Sequence, residues 1–294
     1  MVWVSFCVPV LNDNEKIRNL LKQFETQTDQ NFELVIVDGG STDGTWKSLK
    51  KAEQKMLQLR AYLEEGVQKS TGNARTQAIK KATGEYVLIV DSDLIIERNA
   101  VKKINKILSD SAENDIIVLK CKKDKKNMNT FFQRDNWTEG GKIIVRRKIH
   151  PGFYKECSFR EDRLFYEYFD VDKYKIKIVE SKIILYHYGV KNIYDFIHRY
   201  MWYGRTSIHY AKKTKSLVNK LEMLIVWPSI PIIPIGLILG AIKGLILINK
   251  FYSHNHIFDI ILFAKFTLLE TISVFAFSFG FWTWVFGNKK KSRD

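Results

Sequence analysis

The sequence predicts an α/β domain on a mostly parallel, doubly wound sheet, followed by a C-terminal pair of membrane-crossing helices. Three observations predict it. Short runs rich in Val and Ile alternate with segments of helical periodicity through residues 2–90. Each run stops at a polar turn, and right-handed crossovers gather such turns on one rim of the sheet. Two apolar runs, at 221–248 and 257–286, are each long enough for a hydrocarbon core of roughly 30 Å.

Taken in order, residues 2–10 read as a buried strand that ends at Pro9 and the turn Asn12-Asp13-Asn14. This first apolar stretch has no basic residues before it and reads as a strand rather than a leader. A helix follows over 15–24, with Ile17, Leu20, Leu21 and Phe24 at helical spacing. Residues 32–37 predict a second strand, stopped by a polar run from Asp38 to Thr45. A helix over 46–58, a short strand over 60–63 and a helix over 73–82, ended by Gly84, come next. The run from Tyr86 to Val90 is a further strand, and it leads into Asp91-Ser92-Asp93. Beyond it, strands are expected over 115–120 and 143–145, a helix over 158–169, and short strands over 176–179 and 183–186. The aromatic and basic segment 196–210 suits an amphipathic element at a membrane interface.

Composition narrows the function. The 294 residues carry a formal charge of +15, which points to an anionic partner such as a phosphorylated substrate or a membrane surface. Nucleic acid is disfavoured, because the lysine clusters flank apolar runs and no nucleic-acid module is present. The three cysteines, Cys7, Cys121 and Cys157, lack metal-like spacing and fit reduced thiols. Lys212, Lys213, Lys215 and Lys220 precede the first apolar run, and Lys289, Lys290 and Lys291 follow the second. The positive-inside rule then puts both flanks in the cytoplasm of a two-span protein of the cell membrane. The expected organisation is a catalytic domain at 1–195, an interface segment at 196–220, two spans at 221–287 and a basic tail at 288–294.

Chemistry concentrates at Asp91 and Asp93. Extended backbone would point both carboxylates to one side, at the sheet edge where open α/β folds bind ligands. Such a pair suits Mg²⁺ or Mn²⁺ bridging nucleotide phosphates. With the stretches Val8-Pro9-Val10-Leu11-Asn12-Asp13, Asp38-Gly39-Gly40-Ser41-Thr42-Asp43 and Gly72-Asn73-Ala74-Arg75, the chain resembles family 2 glycosyltransferases with a GT-A fold. Arg160-Glu161-Asp162 and Tyr186-His187-Tyr188 resemble that family's later motifs, so the likeness spans about residues 2–190.

The resemblance implies roles for named residues. Asp38 would accept from a base N–H, or else close a turn before the next helix. Pro9 and Asp13 would shape the base pocket, or else end a strand and cap a helix. Arg75 would pair with a metal-motif carboxylate or a phosphate, with an exposed helix arginine as the alternative. Ser92 joins the nucleotide-sugar contacts, Asp93 and His187 would hold the divalent cation, and Asp91 would hold that cation or the donor's ribose. His187 reads equally as a packed strand residue. Asp162 would be the general base of an inverting displacement, with Glu161 and Arg163 orienting or tuning it, or else Arg160-Glu161-Asp162-Arg163 is a solvated charged helix turn. Two departures stand out: Gly39 replaces an acidic residue frequent in the family, and Glu167 and Tyr168 replace a basic one.

Arg199 and Arg205 are candidates for an acceptor's lipid phosphate, or for simple anchoring to anionic lipid. The expected reaction moves a sugar from a nucleotide-diphosphate sugar to a lipid-linked acceptor. The alternative is a polyprenyl-phosphate glycosyltransferase that makes the lipid-phosphate sugar itself.

Overall fold

Alternating burial along the strands divides the core of the first unit into two layers. β1, Val4–Val10, buries Phe6 and Val8 on one face and Cys7 on the other. β2, Glu33–Asp38, does the same with Leu34 and Ile36 against Val35 and Val37. This computed structural model describes residues 4–66, 69–122, 142–158, 160–187, 192–221, 223, 242 and 260–291. Two compact units emerge. One comprises Met1–Met128, Trp137–Cys157 and Glu161–Tyr188; the other comprises Asn129–Asn136, Ser158–Arg160 and Gly189–Asp294.

The first unit holds an eight-stranded sheet in the order β3-β2-β1-β4-β7-β6-β8-β5. Its remaining strands are β3 Leu59–Leu63, β4 Tyr86–Ile89, β5 Leu94–Ile96, β6 Ile116–Lys122, β7 Lys142–Arg146 and β8 Ile176–His187. β1 to β4 pair in parallel, whereas β7 runs antiparallel to both β4 and β6, and β5 antiparallel to β8. One face is covered by α1 Asn14–Glu25, by α2 Thr45–Glu53 and by α4 Ala100–Ser109. The other carries α3 Thr71–Lys81 and α5 Glu161–Tyr168. A mostly parallel α/β sheet is therefore present, and its first four strands bring their C-terminal ends to one rim.

Several elements differ from expectation, each for a local reason. α2 stops at Glu53 rather than Gln58, because the chain turns back and buries Met56 before β3 begins at Leu59. α5 starts at Glu161, since Arg160 has φ of 52°, outside the helical region. The two short strands expected over 176–186 are one strand, whose pairing with β6 shifts register between Lys120 and Lys122 as at a bulge. β5 and α4 lie where no element is expected. α4 buries Val101, Ile104 and Leu108 at helical spacing, a signal that the sequence carries.

The second unit holds α6, Ile193–Lys213, and a C-terminal helix, Ile260–Lys291. Asn192 caps α6, its side chain accepting from the N–H of Asp195 at 2.9 Å. The helices meet at two glycines. A Cβ on Gly204 would lie 1.9 Å from the Phe277 carbonyl oxygen, and one on Gly280 would lie 1.9 Å from that of Met201. Within Ile260–Lys291, the stretch Thr267–Phe286 is long and apolar enough to cross a membrane, and no other such helix exists among the described residues. The first expected span, 221–248, lies almost wholly outside those residues, so the hairpin is represented here by one helix. The expected basic tail begins as helix, which continues to Lys291.

Candidate active site

The rim formed by β1, β2, β3 and β4 collects most of the expected site residues. Pro9 pairs with Val37 in β2, while pairing of β1 with β4 stops at Cys7 opposite Ile89. The missing N–H of Pro9 thus falls where only one neighbour flanks the strand. The loops after β1 and β2 lock together through short polar bonds. Asn12 donates its N–H to Ser41 Oγ and accepts from the Thr42 N–H, both at 2.8 Å. Asp43 Oδ2 accepts from the Asn14 N–H at 2.9 Å, and its Oδ1 accepts from the Thr45 hydroxyl at 2.6 Å. Slight burial pushes the Asp43 carboxyl up, but these bonds more than offset it and hold it below the usual range.

Asp13 does not cap α1 with its side chain. Its Oδ2 instead accepts from the Ser92 hydroxyl at 2.5 Å, and its Oδ1 lies 3.2 Å from Lys16 Nζ. The β1 loop is thereby tied to the Asp91-Ser92-Asp93 segment. That segment is not extended. β4 ends at Ile89, and the Leu94 N–H donates to the Asp91 carbonyl at 3.1 Å, making 91–94 a turn. The expected same-side alternation of Asp91 and Asp93 along extended backbone is therefore replaced by a tight turn that carries both residues.

Asp38 ends β2 fully buried. Its Oδ1 accepts from the N–H groups of Gly40 at 2.9 Å and Ser41 at 2.7 Å, closing a turn. Its Oδ2 is buried without a hydrogen-bond partner among the described residues. Oδ1 thus serves the turn, while Oδ2 lies enclosed by the protein.

Arg75, on α3, joins the rim to α5. Its Nη2 lies 2.7 Å from Asp91 Oδ1 and its Nη1 lies 2.8 Å from Glu161 Oε1. The guanidinium also stands over the Phe153 ring, 5.6 Å from its centroid. Burial would lower the Arg75 pKa, but Glu161 and Asp91 outweigh it and hold the group charged. Burial pushes the Glu161 carboxyl up, and the Arg75 charge opposes that rise. Asp162, the next residue, is exposed on the first turn of α5, with Oδ1 accepting from the Arg163 N–H at 2.8 Å. The adjacent carboxylates therefore differ in kind: Glu161 is locked inside, and Asp162 faces solvent.

The donor set at the turn fits a hard divalent cation. Asp91 keeps its side chain 41% exposed despite its bond to Arg75, and Asp93, two residues on in the same turn, is partly exposed. Mg²⁺ is characteristically bound by one or two carboxylates plus substrate phosphates and water, so a larger protein cluster is not needed. No group of three acidic, histidine or cysteine ligands occurs among the described residues. The His187 main chain pairs with Leu94, directly after the turn, while its side chain lies outside the described residues.

Arg199 and Arg205 belong to the second unit, on α6. Six residues of helix set them about 120° apart around the axis, so they do not share a face. Arg205 donates from Nε to Thr283 Oγ1 at 3.2 Å.

Sequence reasoning passed over Asn12, Asn14, Asp43 and Thr45 as mere turn formers, and over Phe153 and Glu64 altogether. Glu64 follows β3 on the same rim, and the rule that polar residues at strand ends gather there would have found it.

A family model described as Glycosyl transferase family 2 matches residues 5–189. The poly(ribitol-phosphate) beta-N-acetylglucosaminyltransferase TarS of Staphylococcus aureus (strain Mu50) is 34% identical over 124 residues, 42% of this chain and 21% of TarS. WfaP of Escherichia coli, a UDP-Glc:alpha-D-GlcNAc-diphosphoundecaprenol beta-1,3-glucosyltransferase, is 30% identical over 93 residues, 32% of this chain and 36% of WfaP. The chain thus spans well under half of these curated relatives. Among solved structures, the mannosyltransferase PcManGT of Pyrobaculum calidifontis, in complex with GDP-Man and Mn²⁺, superposes with TM-score 0.58 at 16% identity. That match covers 97% of this chain and 87% of PcManGT. S. aureus TarS 1–349 in complex with UDP-GlcNAc gives 0.54 at 17% identity, covering 97% and 92% of the two chains. At these identities the structural likeness speaks for the fold.

Proposed function

The chain belongs to glycosyl transferase family 2, and on that premise we propose that it moves a sugar from a nucleotide-diphosphate sugar to a hydroxyl of a lipid-linked acceptor, with inversion at the anomeric carbon. The observation that carries this reading is the division of labour around Arg75: a buried Glu161–Arg75–Asp91 chain with an exposed Asp162 at its end.

Pro9, Asp13, Asp38 and Ser92 surround the nucleoside, with Arg75 positioning Asp91 rather than serving as a free phosphate ligand. Asp91 and Asp93 would hold a divalent Mn²⁺ or Mg²⁺, which when bound neutralises charge developing on the departing diphosphate. His187 is a further candidate ligand, from its place in β8 beside the turn. Asp162 accepts the proton of the acceptor hydroxyl as that oxygen attacks the anomeric carbon opposite the leaving group. Glu161 fixes the first turn of α5, and so the place of Asp162, through its bond to Arg75.

A hydroxyl acceptor is favoured over a polyprenyl phosphate because an ionised phosphate needs no base, and Asp162 is exposed where a base is required. The acceptor named for WfaP, a diphosphoundecaprenol-linked sugar, supports a lipid-linked substrate. The stretch Thr267–Phe286 and the flanking lysines support attachment to the cell membrane with the catalytic unit on the cytoplasmic side.

The test is donor turnover by the full chain in detergent, across a panel of nucleotide sugars with Mn²⁺ or Mg²⁺, beside Asp93→Ala. Turnover of a donor that vanishes in the variant is expected. Silence across the panel, together with no nucleotide binding, would overturn the reading.

A further inference from the structure

The solvent side of α5 carries an exposed aromatic side chain beside Asp162. Tyr166 follows Asp162 by four residues, so the two lie about 40° apart around the helix axis, one turn from each other. Tyr166 is 50% exposed, whereas Leu164 and Phe165 are buried. Its ring meets the Phe165 ring at 77°, with centroids 5.5 Å apart. Phe165 is itself held in place: it stacks on Phe169 with centroids 4.7 Å apart, and the rings of His150 and Phe153 lie 4.9 and 5.4 Å from it. A packed aromatic base thus supports an open ring. Tyr168, also exposed, lies about 200° around the helix from Tyr166, and its ring meets that of Tyr154 with centroids 5.2 Å apart.

Charge locates the hydroxyl end of Tyr166. Burial pushes that hydroxyl up to about 12, the Asp162 carboxylate adds to the rise, and Arg75 opposes it. The hydroxyl therefore lies near enough to both groups to feel their charges, at the end of the Glu161–Arg75–Asp91 chain. A single exposed aromatic ring is ordinary on a protein surface and needs no function. What sets this ring apart is its place, one turn from the candidate base and within the field of Arg75.

We propose that Tyr166 is a stacking platform for the acceptor, whose reacting end is a pyranose ring with its apolar C–H face against the tyrosine and a rim hydroxyl at Asp162. The assignment rests on the glycosyltransferase reading above and names the unit that receives the sugar. The face of an aromatic ring carries the negative part of its quadrupole, and the C–H groups on one face of a pyranose offer hydrogens to match it. A sugar lying there keeps its hydroxyls at the rim. Side chains one helical turn apart stand roughly 5–6 Å from each other at Cβ, so Asp162 borders such a rim. A phosphate terminus would bring a second anion to Asp162 and has no apolar face to stack. An acyclic polyol has no fixed apolar face and must freeze its rotors to make one.

The experiment is saturation-transfer NMR on the full chain in a detergent without a sugar headgroup. UDP, GDP, ADP and CDP are tested first, with Mg²⁺ present. Methyl glucopyranoside, methyl galactopyranoside and methyl N-acetylglucosaminide then serve as probes, beside ribitol and ethyl phosphate. With nucleotide bound, at least one pyranoside is expected to take saturation chiefly on the C–H protons of one ring face. Tyr166→Ala should weaken that pyranoside by about three- to tenfold, the scale of one aromatic contact. Tyr166→Phe keeps the ring and should bind it as wild type does, and nucleotide affinity should match in all three proteins. No pyranoside binding, ribitol or ethyl phosphate binding as tightly as the pyranosides, or unchanged pyranoside affinity in Y166A overturns the platform and leaves the glycosyltransferase reading standing. A Y166F variant as weak as Y166A assigns the contact to the hydroxyl and overturns it too. Absence of binding by every nucleotide overturns both. Should Y166A not fold, the wild-type map decides alone, and saturation spread evenly over both ring faces overturns the platform.

Discussion

Asp162 and Glu161 are neighbours in sequence with opposite physical situations, and this makes them separable by experiment. Asp162→Asn removes an exposed carboxylate, so stability should change by less than about 0.5 kcal/mol. Turnover should fall by about 10²- to 10⁴-fold with donor affinity retained, the range for a lost general base. Glu161→Gln removes a charge from a buried pair with Arg75, 8% and 13% exposed respectively. Breaking such a pair costs about 3–5 kcal/mol, moderated here because Asp91 still pairs with Arg75. Thermal melts and steady-state kinetics on both variants check the contrast; equal destabilisation would remove the distinction. His150 offers a pH signature. Its ring packs on Phe153 and Phe165, with centroids 5.4 and 4.9 Å away, and its Nδ1 accepts from the Gly152 N–H at 3.0 Å. Burial pushes its pKa from 6.5 down to about 4. Between those values the unfolded chain binds the proton and the native ring does not, so stability rises with pH there. The contribution is present above pH about 6.5 and lost as pH falls toward 4, by roughly 3 kcal/mol. Denaturant midpoints at pH 7 and pH 5 should differ more for wild type than for His150→Gln; parallel shifts would discount the residue.

At the scale of elements, the α6 contact with Ile260–Lys291 depends on two small residues. Backbone approaches backbone where Gly204 meets Phe277 and Gly280 meets Met201. Close helix approach of this kind uses small residues in place of side-chain interdigitation. Gly204→Ala adds a methyl group 1.9 Å from a carbonyl oxygen, and the helices must separate to admit it. The expected loss is about 1–3 kcal/mol, in the range for overpacked cores. Substituting Ala at Trp202 removes a 39% exposed ring and serves as the milder control. A melting temperature in detergent that falls for the control but not for G204A would contradict the packing.

At the scale of the whole chain, 47 Lys and Arg against 32 Asp and Glu would attract an anionic surface even without a membrane span. Charge-driven attachment is screened by salt, whereas a crossing helix is not. If Thr267–Phe286 crosses the bilayer, the chain should stay with membranes through washes in high salt and at alkaline pH. Release by salt alone would reduce the helix to a packing partner of α6, and attachment to the basic surface.

Much of this protein was legible in its residues because the deciding signals are local. Alternating Val and Ile runs, helical spacing at Ile17, Leu20, Leu21 and Phe24, and turn residues after each strand specify elements over a few neighbours. Strand-end motifs place Asp38 and the Asp91 to Asp93 segment on one rim by topology alone. Tertiary structure decided what depends on distant partners. It made 91–94 a turn, assigned Arg75 to both Asp91 and Glu161, and divided Glu161 from Asp162 by burial. It also left one Asp38 oxygen unpartnered among the described residues and set Glu64 beside Gly39. Those outcomes rest on contacts across up to 86 positions, as between Arg75 and Glu161, where desolvation and pairing are settled by which groups the sheet and helices bring together.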